Sequence, residues 1–378
     1  MTAYDVVVVG LGAMGSSAAR HLAARGLRVL GLEQFTPAHD RGSSHGDSRM
    51  IRQAYLEHPS YVPLLQHAYP LWEELGERAH QRLLTETGGV MIGRPDSGAV
   101  AGSRRSAEQW GLPHELLDAT GLRERFPTFS PGDDEVALYE ERAGFVRPEA
   151  TVRAQVEAAT EDGADLRFGE PVTGWRATGS GVRVSTAAES FDAGHLVLAP
   201  GAWAPRLLDL PIALTVERQI LHWYAPTGGT EPFAVGRHPV WIWEDPDGDE
   251  VYGFPALPGE TEVKVAFFRR PVPADPDHVD RVVHPEEVAE MDVTMRRKLP
   301  ALAQHTRAVT CLYTLTPDSH FVLGRHPEYP QVSVAAGFSG HGFKFTPLVG
   351  EILADLATEG TTPHDVSLFD PARPALRR

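Results

Sequence analysis

The first 33 residues constrain the fold most, because they run strand, glycine turn, helix, strand and acid without interruption. Val6 to Val9 is a β-branched run with the character of a buried strand. Gly10, Gly12 and Gly15 follow at G-x-G-x-x-G spacing. The pattern predicts a helix over Ser16 to Arg25, with Ala18, Ala19, Leu22 and Ala23 on its apolar side. Gly26 ends it, and Leu27 to Leu32 form a second strand closed by Glu33. Gly10 permits the tight turn, Gly12 lets the backbone approach a pyrophosphate, and Gly15 lets the helix lie on the sheet. The helix N-terminus offers unpaired N–H groups and partial positive charge to phosphates. Glu33 can accept hydrogen bonds from both ribose hydroxyls and would repel a 2′-phosphate. The unit therefore points to an ADP-containing dinucleotide other than NADP, against the plainer reading of a glycine turn. It does not separate NAD from FAD.

At 378 residues the chain is too long for one ordinary domain and comfortable for two. After the first unit come an amphipathic helix through Tyr61, Leu65, Ala68, Trp72 and Leu75, a strand over Gly88 to Ile92, and short helices over Ser103 to Trp110 and Leu117 to Phe126. Val136 to Val146 reads as strand, turn, strand, and a helix follows Arg147. A meander leads to Leu196–Trp203, an apolar strand that would rejoin the first sheet. Ile220 to Tyr224, Val240 to Trp243, Glu250 to Phe254 and Glu262 to Phe268 then read as an antiparallel sheet suited to carry a pocket. His284 to Leu299 is a helix, and strand Val332 to Ala336 and helix Pro347 to Leu356 return to the first domain. The expected fold is α/β in two domains (α+β overall). A Rossmann-like dinucleotide domain is built from 1–86, 145–215 and 320–378, and an antiparallel-sheet domain from 87–144 and 216–319.

Charge and cysteine usage narrow the partners. A net charge of −16 speaks against nucleic acid or an anionic membrane. No apolar run approaches the roughly 20 residues of a membrane span. A single cysteine allows no intrachain disulfide, and the expected location is cytoplasmic. No metal centre is expected.

Four further stretches can carry chemistry. Arg41 to Arg52 (RGSSHGDSRMIR) is polar, basic and glycine-rich, without the period of a helix or strand. Its arginines and His45 can meet phosphate, a cofactor ring or a carboxylate, or can simply be solvated. Cys311 in CLYTLTPD is, from residue type alone, a small buried hydrophobe. GFSGHGFKF (337–345) is a glycine-rich turn before a helix, which makes an anion site, and Lys344 sits there between two phenylalanines. Lys264 lies in a strand, where a solvent-facing lysine is the simpler reading.

These stretches, GSSHGDSRMIR, YGFP, CLYTLTPD and GFSGHGFKF, resemble the monomeric sarcosine oxidase and N-methyltryptophan oxidase family of FAD amine oxidases. The resemblance runs in one register from Tyr4 to about Leu368. It implies FAD in a glutathione-reductase-type domain, with Gly10, Gly12, Gly15, Glu33, Ser43, Ser44, Arg49, Gly340, Gly342 and Lys344 around the cofactor. It implies that Cys311 is joined to the flavin 8α-methyl through a thioether, which would displace the buried-thiol reading. His45 and Arg49 would flank the ring. Arg52 and Lys344 would clamp the substrate carboxylate, and Tyr252 and Tyr313 would line the pocket. Lys264 would sit beside the flavin, where the family activates oxygen; a fixed ammonium there stabilises developing superoxide.

The implied reaction is oxidation of a secondary (N-methyl or cyclic) amino acid to an imine, which hydrolyses and yields formaldehyde from N-methyl substrates. Oxygen becomes hydrogen peroxide, and the implied partners are one small amino acid and oxygen, on a monomer. A dehydrogenase using another electron acceptor is the alternative. Two departures bear on the substrate. Phe268 stands where the sarcosine oxidases carry a histidine, and one extra residue follows YGFP. With Trp243 on the same sheet, these favour a bulky, N-methyltryptophan-like substrate over sarcosine.

Overall fold

The computed structural model describes residues 4–377. The N-terminal unit forms as its sequence dictates. Strand Tyr4–Val9 pairs in parallel with Val29–Glu33 on one side and with Ser190–Leu198 on the other. The helix between them starts earlier than its apolar pattern suggests, at Ala13, and runs to Ala24. Gly15 is required there: a Cβ at that position would lie 1.7 Å from the Gly10 carbonyl oxygen. Strand Ser190–Leu198 then does two jobs. Its first half pairs antiparallel with Gly181–Thr186, and its second half pairs in parallel with Val332–Ala336. The first sheet thus collects eight strands from near the N-terminus, the middle and near the C-terminus. Helices Ala13–Ala24, Pro148–Glu161 and Thr346–Thr358 carry buried apolar faces of the adjoining core.

A second eight-stranded sheet runs in the order 304–315, 215–225, 263–268, 250–253, 240–244, 89–93, 136–140, 115–118. Its pairings are antiparallel except between 240–244 and 89–93. Cross-strand register places Ile242, Tyr252 and Ala266 in one row. Alternation sends Trp241, Trp243, Val251 and Val265 to the opposite face, where they pack with Met291 and Met295 of helix Pro285–Lys298. A three-stranded sheet of Arg49–Ile51, Gly144–Val146 and Leu84–Glu86 completes the strands.

Two local expectations change. The segment expected as a helix over Leu117 to Phe126 divides at Asp118 into strand Glu115–Asp118 and helix Ala119–Arg125. The Asp118 carboxylate accepts from the Gly121 amide at 2.7 Å, so it caps the helix and sets where it starts. Arg49–Ile51, expected as loop, is recruited as a strand by Gly144–Val146. Three residues are too few to show a period in sequence. Among the described residues, no helix is long and apolar enough to cross a membrane.

Candidate active site

A cavity of about 390 Å³ starts at the glycine turn and ends against the second sheet. Gly10, Gly12 and Glu33 line one end; Arg49, Tyr313 and Gly340 line the other. Ser43, Ser44 and Gly342 also line it. Gly15 does not, and serves by letting the helix approach the strand. A Cβ on Gly12 would meet only the Ser44 hydroxyl, at 3.7 Å, so that backbone is open to a ligand. The Ser44 hydroxyl accepts from the Ala13 amide at 3.3 Å, at the helix N-terminus. Glu33 is buried, and its carboxylate accepts from the amides of Leu11 (2.8 Å) and Phe35 (3.1 Å). The cavity thus joins an open glycine-turn backbone at a helix N-terminus and a fixed acid to the segment holding the cysteine. That donor set and elongated path fit FAD.

At the far end the chain gathers Cys311, Arg49, His45 and Lys264. Cys311 is fully buried, and its neighbours Leu312 and Tyr313 line the cavity where the thiol does not. The Arg49 guanidinium reaches the sulfur at 3.5 Å and is held by the carbonyls of Ser48 (2.8 Å) and Ser43 (2.9 Å). Burial pushes the Cys311 thiol up, but a hydrogen bond from His45 and the charge of Arg49 outweigh it and bring it down to about 7. His45 is buried, and its Nε2 has no partner among the described residues. Lys264 is buried, not solvent-facing. Its Nζ donates to the carbonyls of Gly46 and Ser48, both at 2.6 Å, and lies 4.5 Å from the Phe254 ring centre. It lies behind the 46–48 turn and lines neither cavity. Burial, and then Arg49, push its pKa well down.

A second cavity shares Arg49, Tyr313, Gly340 and Phe343 with the first and extends past Arg52, Lys344, Tyr252 and Phe268. Gly340 has φ +83°, and a Cβ there would stand 2.5 Å from the Tyr313 ring and 3.0 Å from the Phe268 ring. Only glycine leaves room beside these aromatics, where the two cavities meet. The Tyr252 and Tyr313 hydroxyls are 3.4 Å apart, and burial raises the pKa of both.

The two expected carboxylate-binding cations converge here. Buried Glu140 accepts from the amides of Gln53 (2.8 Å) and Ala54 (2.6 Å), which fixes the backbone next to Arg52. Arg52 donates to the Ala54 carbonyl (3.0 Å) and to Glu57 (2.9 Å). Its guanidinium lies 4.6 Å from the Tyr55 ring centre. Lys344 donates to the His341 carbonyl at 2.7 Å. Burial, and next Arg52, bring Lys344 down to about 7. Glu57 is held at about 2: burial opposes ionisation, but Arg52, His341 and Lys344 overcome it.

Trp243 is corrected. It is buried on the far face of the sheet, donates from Nε1 to Glu135 at 2.7 Å, and has the Lys298 ammonium 4.1 Å from its ring centre. Ile242 lines the pocket in its place, because successive strand residues face opposite ways. Sequence reading missed Ile242, Glu57, His341 and Glu250, all of which line the second cavity. For Ile242 the signal was available in the alternation. For Glu250 there was none, because the charges around it lie far away in sequence; Glu57 stands only five residues after Arg52, but in a loop that spacing does not by itself imply contact.

The FAD dependent oxidoreductase (DAO) family matches residues 5–356. The chain is 56% identical over 374 residues to the monomeric sarcosine oxidase of Streptomyces avermitilis, covering 98% of this chain and 97% of that one. It is 33% identical to the N-methyl-L-tryptophan oxidase of Salmonella heidelberg, covering 97% and 98%. Among solved structures, the open form of NikD, described as an unusual amino acid oxidase essential for nikkomycin biosynthesis, superposes with TM-score 0.86 at 30% identity, covering 97% of each chain. The chain belongs to the FAD dependent oxidoreductase family and is an FAD-dependent oxidoreductase of the sarcosine oxidase and N-methyltryptophan oxidase type.

Proposed function

We propose that this enzyme oxidises the carbon–nitrogen bond of a secondary amino acid and reduces oxygen to hydrogen peroxide. The observation that carries the reading is the pairing of a carboxylate clamp, Arg52 with Lys344, with a cavity that opens directly onto the flavin-side cavity. Bound FAD supplies the two-electron acceptor. The chain supplies the rest. Arg52 and Lys344 bind the substrate carboxylate, and an amine lacking that group would leave Lys344 without a carboxylate and Arg52 with Glu57 alone. Tyr252, Tyr313 and Phe268 wall the reacting carbon and nitrogen from water. Glu33 and the Gly10–Gly12 backbone hold the nucleotide end of the cofactor, and Ser43, Ser44, Arg49, Gly340 and Gly342 border its path. The test is anaerobic mixing with sarcosine, N-methyltryptophan, pipecolate and proline. Loss of flavin absorbance supports the reading, and peroxide formed on readmitting air separates oxidase from dehydrogenase.

The preference within that class is for a bulky side chain. The substrate cavity has a volume of about 60 Å³, room for the reacting end of an amino acid. Ile242 and Phe268, in the lining of that cavity, offer apolar surface to a larger side chain. A kcat/KM that rises from sarcosine to N-methyltryptophan is expected; a fall of tenfold or more would reverse this preference.

Two further expectations belong to this site. The thioether to Cys311 is favoured by a thiol poised near neutrality beside Arg49 and His45. Acid precipitation should leave the wild-type protein yellow and release free flavin from Cys311→Ser. Lys344 and Glu250 both titrate near 7 in this cavity, and both act on an anion in the same direction as pH rises. Lys344 is charged below about 7 and loses its proton above, so carboxylate binding weakens as pH rises through that value. Acetate, which has no amine to titrate, should bind up to roughly tenfold more weakly at pH 8.5 than at pH 6. Lys344→Met should flatten that profile in part, leaving the share that Glu250 contributes as it ionises. His341 stays neutral throughout, because burial holds it near 3.

A further inference from the structure

The substrate cavity contains one carboxylate that no neighbour uses. Glu57 is paired with Arg52 at 2.9 Å. Glu244 accepts from the Ala99 amide at 2.6 Å, and Asp249 pairs with Arg270 at 2.8 Å. Glu250 lines the cavity, yet its carboxylate has no hydrogen bond or ion pair among the described residues. Neither nearby arginine closes on it. Arg52 is committed to Glu57 and the Ala54 carbonyl, and Arg269 donates to the Ser319 hydroxyl (2.8 Å) and the Ser339 carbonyl (3.0 Å). Burial, with Glu57 and Glu244 adding negative potential, pushes the Glu250 carboxyl up to about 7. A half-buried carboxylate with no side-chain or backbone partner keeps its acceptor oxygens available to a ligand that enters the cavity.

Its position says which part of a ligand. The inner end of the cavity, at Arg49, Tyr313, Gly340 and Phe343, is shared with the cofactor cavity. Glu250 lines only the second cavity and is half-buried, like Leu56, Glu57 and Phe268, whereas Arg52, Lys344 and Tyr313 are buried. Strand register sets it opposite Phe268, two residues before Tyr252 on the same face. A substrate with its reacting carbon and nitrogen at the inner end therefore presents its side-chain terminus to Glu250.

We propose that Glu250 selects, among secondary amino acids, those whose side chain ends in a cation. The assignment rests on the amino-acid oxidase reading above. Phe268 and Ile242 would cover the aliphatic stem, and the carboxylate would accept from the terminal ammonium or guanidinium. The same charge would reject acidic side chains.

The test compares Nα-methyl-lysine with Nα-methyl-norleucine, which has nearly the same stem without the ammonium. Holoenzyme is assayed at pH 8, where Glu250 is ionised. The wild type should favour the lysine derivative in kcat/KM by about tenfold or more, the range of a charge-assisted hydrogen bond. In Glu250→Gln the ratio should fall to near one. A wild-type ratio near one, or a ratio that Glu250→Gln leaves unchanged, overturns the assignment while oxidation of Nα-methyl-norleucine or sarcosine keeps the oxidase reading. Failure of every N-methyl amino acid to reduce the flavin removes both.

Discussion

Replacing Arg52 with methionine should lower kcat/KM for the amino-acid substrate by about 10²- to 10⁴-fold, the equivalent of roughly 3–5 kcal/mol for breaking a buried charge pair. Two losses contribute. The substrate carboxylate loses its planar, two-point donor, which Lys344 alone cannot reproduce. Glu57, held ionised chiefly by Arg52, becomes a buried carboxylate without its main partner. The second loss also destabilises the fold, and the two can be separated. Arg52→Met combined with Glu57→Gln removes the orphaned charge, so thermal stability should recover while kcat/KM stays low. Recovery of both would mean that Arg52 serves only to balance Glu57.

Lys264→Met should slow reoxidation of the reduced flavin by oxygen by about 10²- to 10³-fold, the range for removing one preorganised charge from a developing anion. Stopped-flow mixing of the pre-reduced enzyme with oxygen reads this step apart from substrate oxidation. The geometry gives the prediction an edge. Lys264 is anchored by two carbonyls at 2.6 Å, yet burial and Arg49 press it toward neutrality. Its charge therefore depends on the Gly46 and Ser48 carbonyls and on Glu149 and Asp47, which oppose that loss. An unchanged oxygen rate in Lys264→Met would make Lys264 a strut for the 46–48 turn and would move oxygen activation elsewhere.

Much of the nucleotide-binding half was legible in sequence because its signals are local. A β-branched run, three glycines and a closing acid each act within a few residues, and the structure adds only that the helix begins at Ala13. The second sheet was legible as strands, but not in which way they face. Trp243 and Ile242 sit side by side in sequence, and their alternation says that they part. Only helix Pro285–Lys298, packing against one face, decides that the tryptophan enters the core and the isoleucine lines the second cavity. Lys264 shows the same limit: a lysine on a strand is ordinarily solvated, and the turn from Gly46 to Ser48 buries it.

By itself the sequence determined the dinucleotide unit and the identity of the cations and aromatics available for chemistry. Backbone conformation and charge are properties of residues and near neighbours, so they survive without a fold. The tertiary structure alone decided which charges are spent and which are free. Arg52 is matched by Glu57 five residues away, Cys311 is acidified by residues more than 260 positions distant, and Glu250 is left without a partner. Such pairings depend on distance and desolvation in three dimensions, and neither is written in the order of the chain.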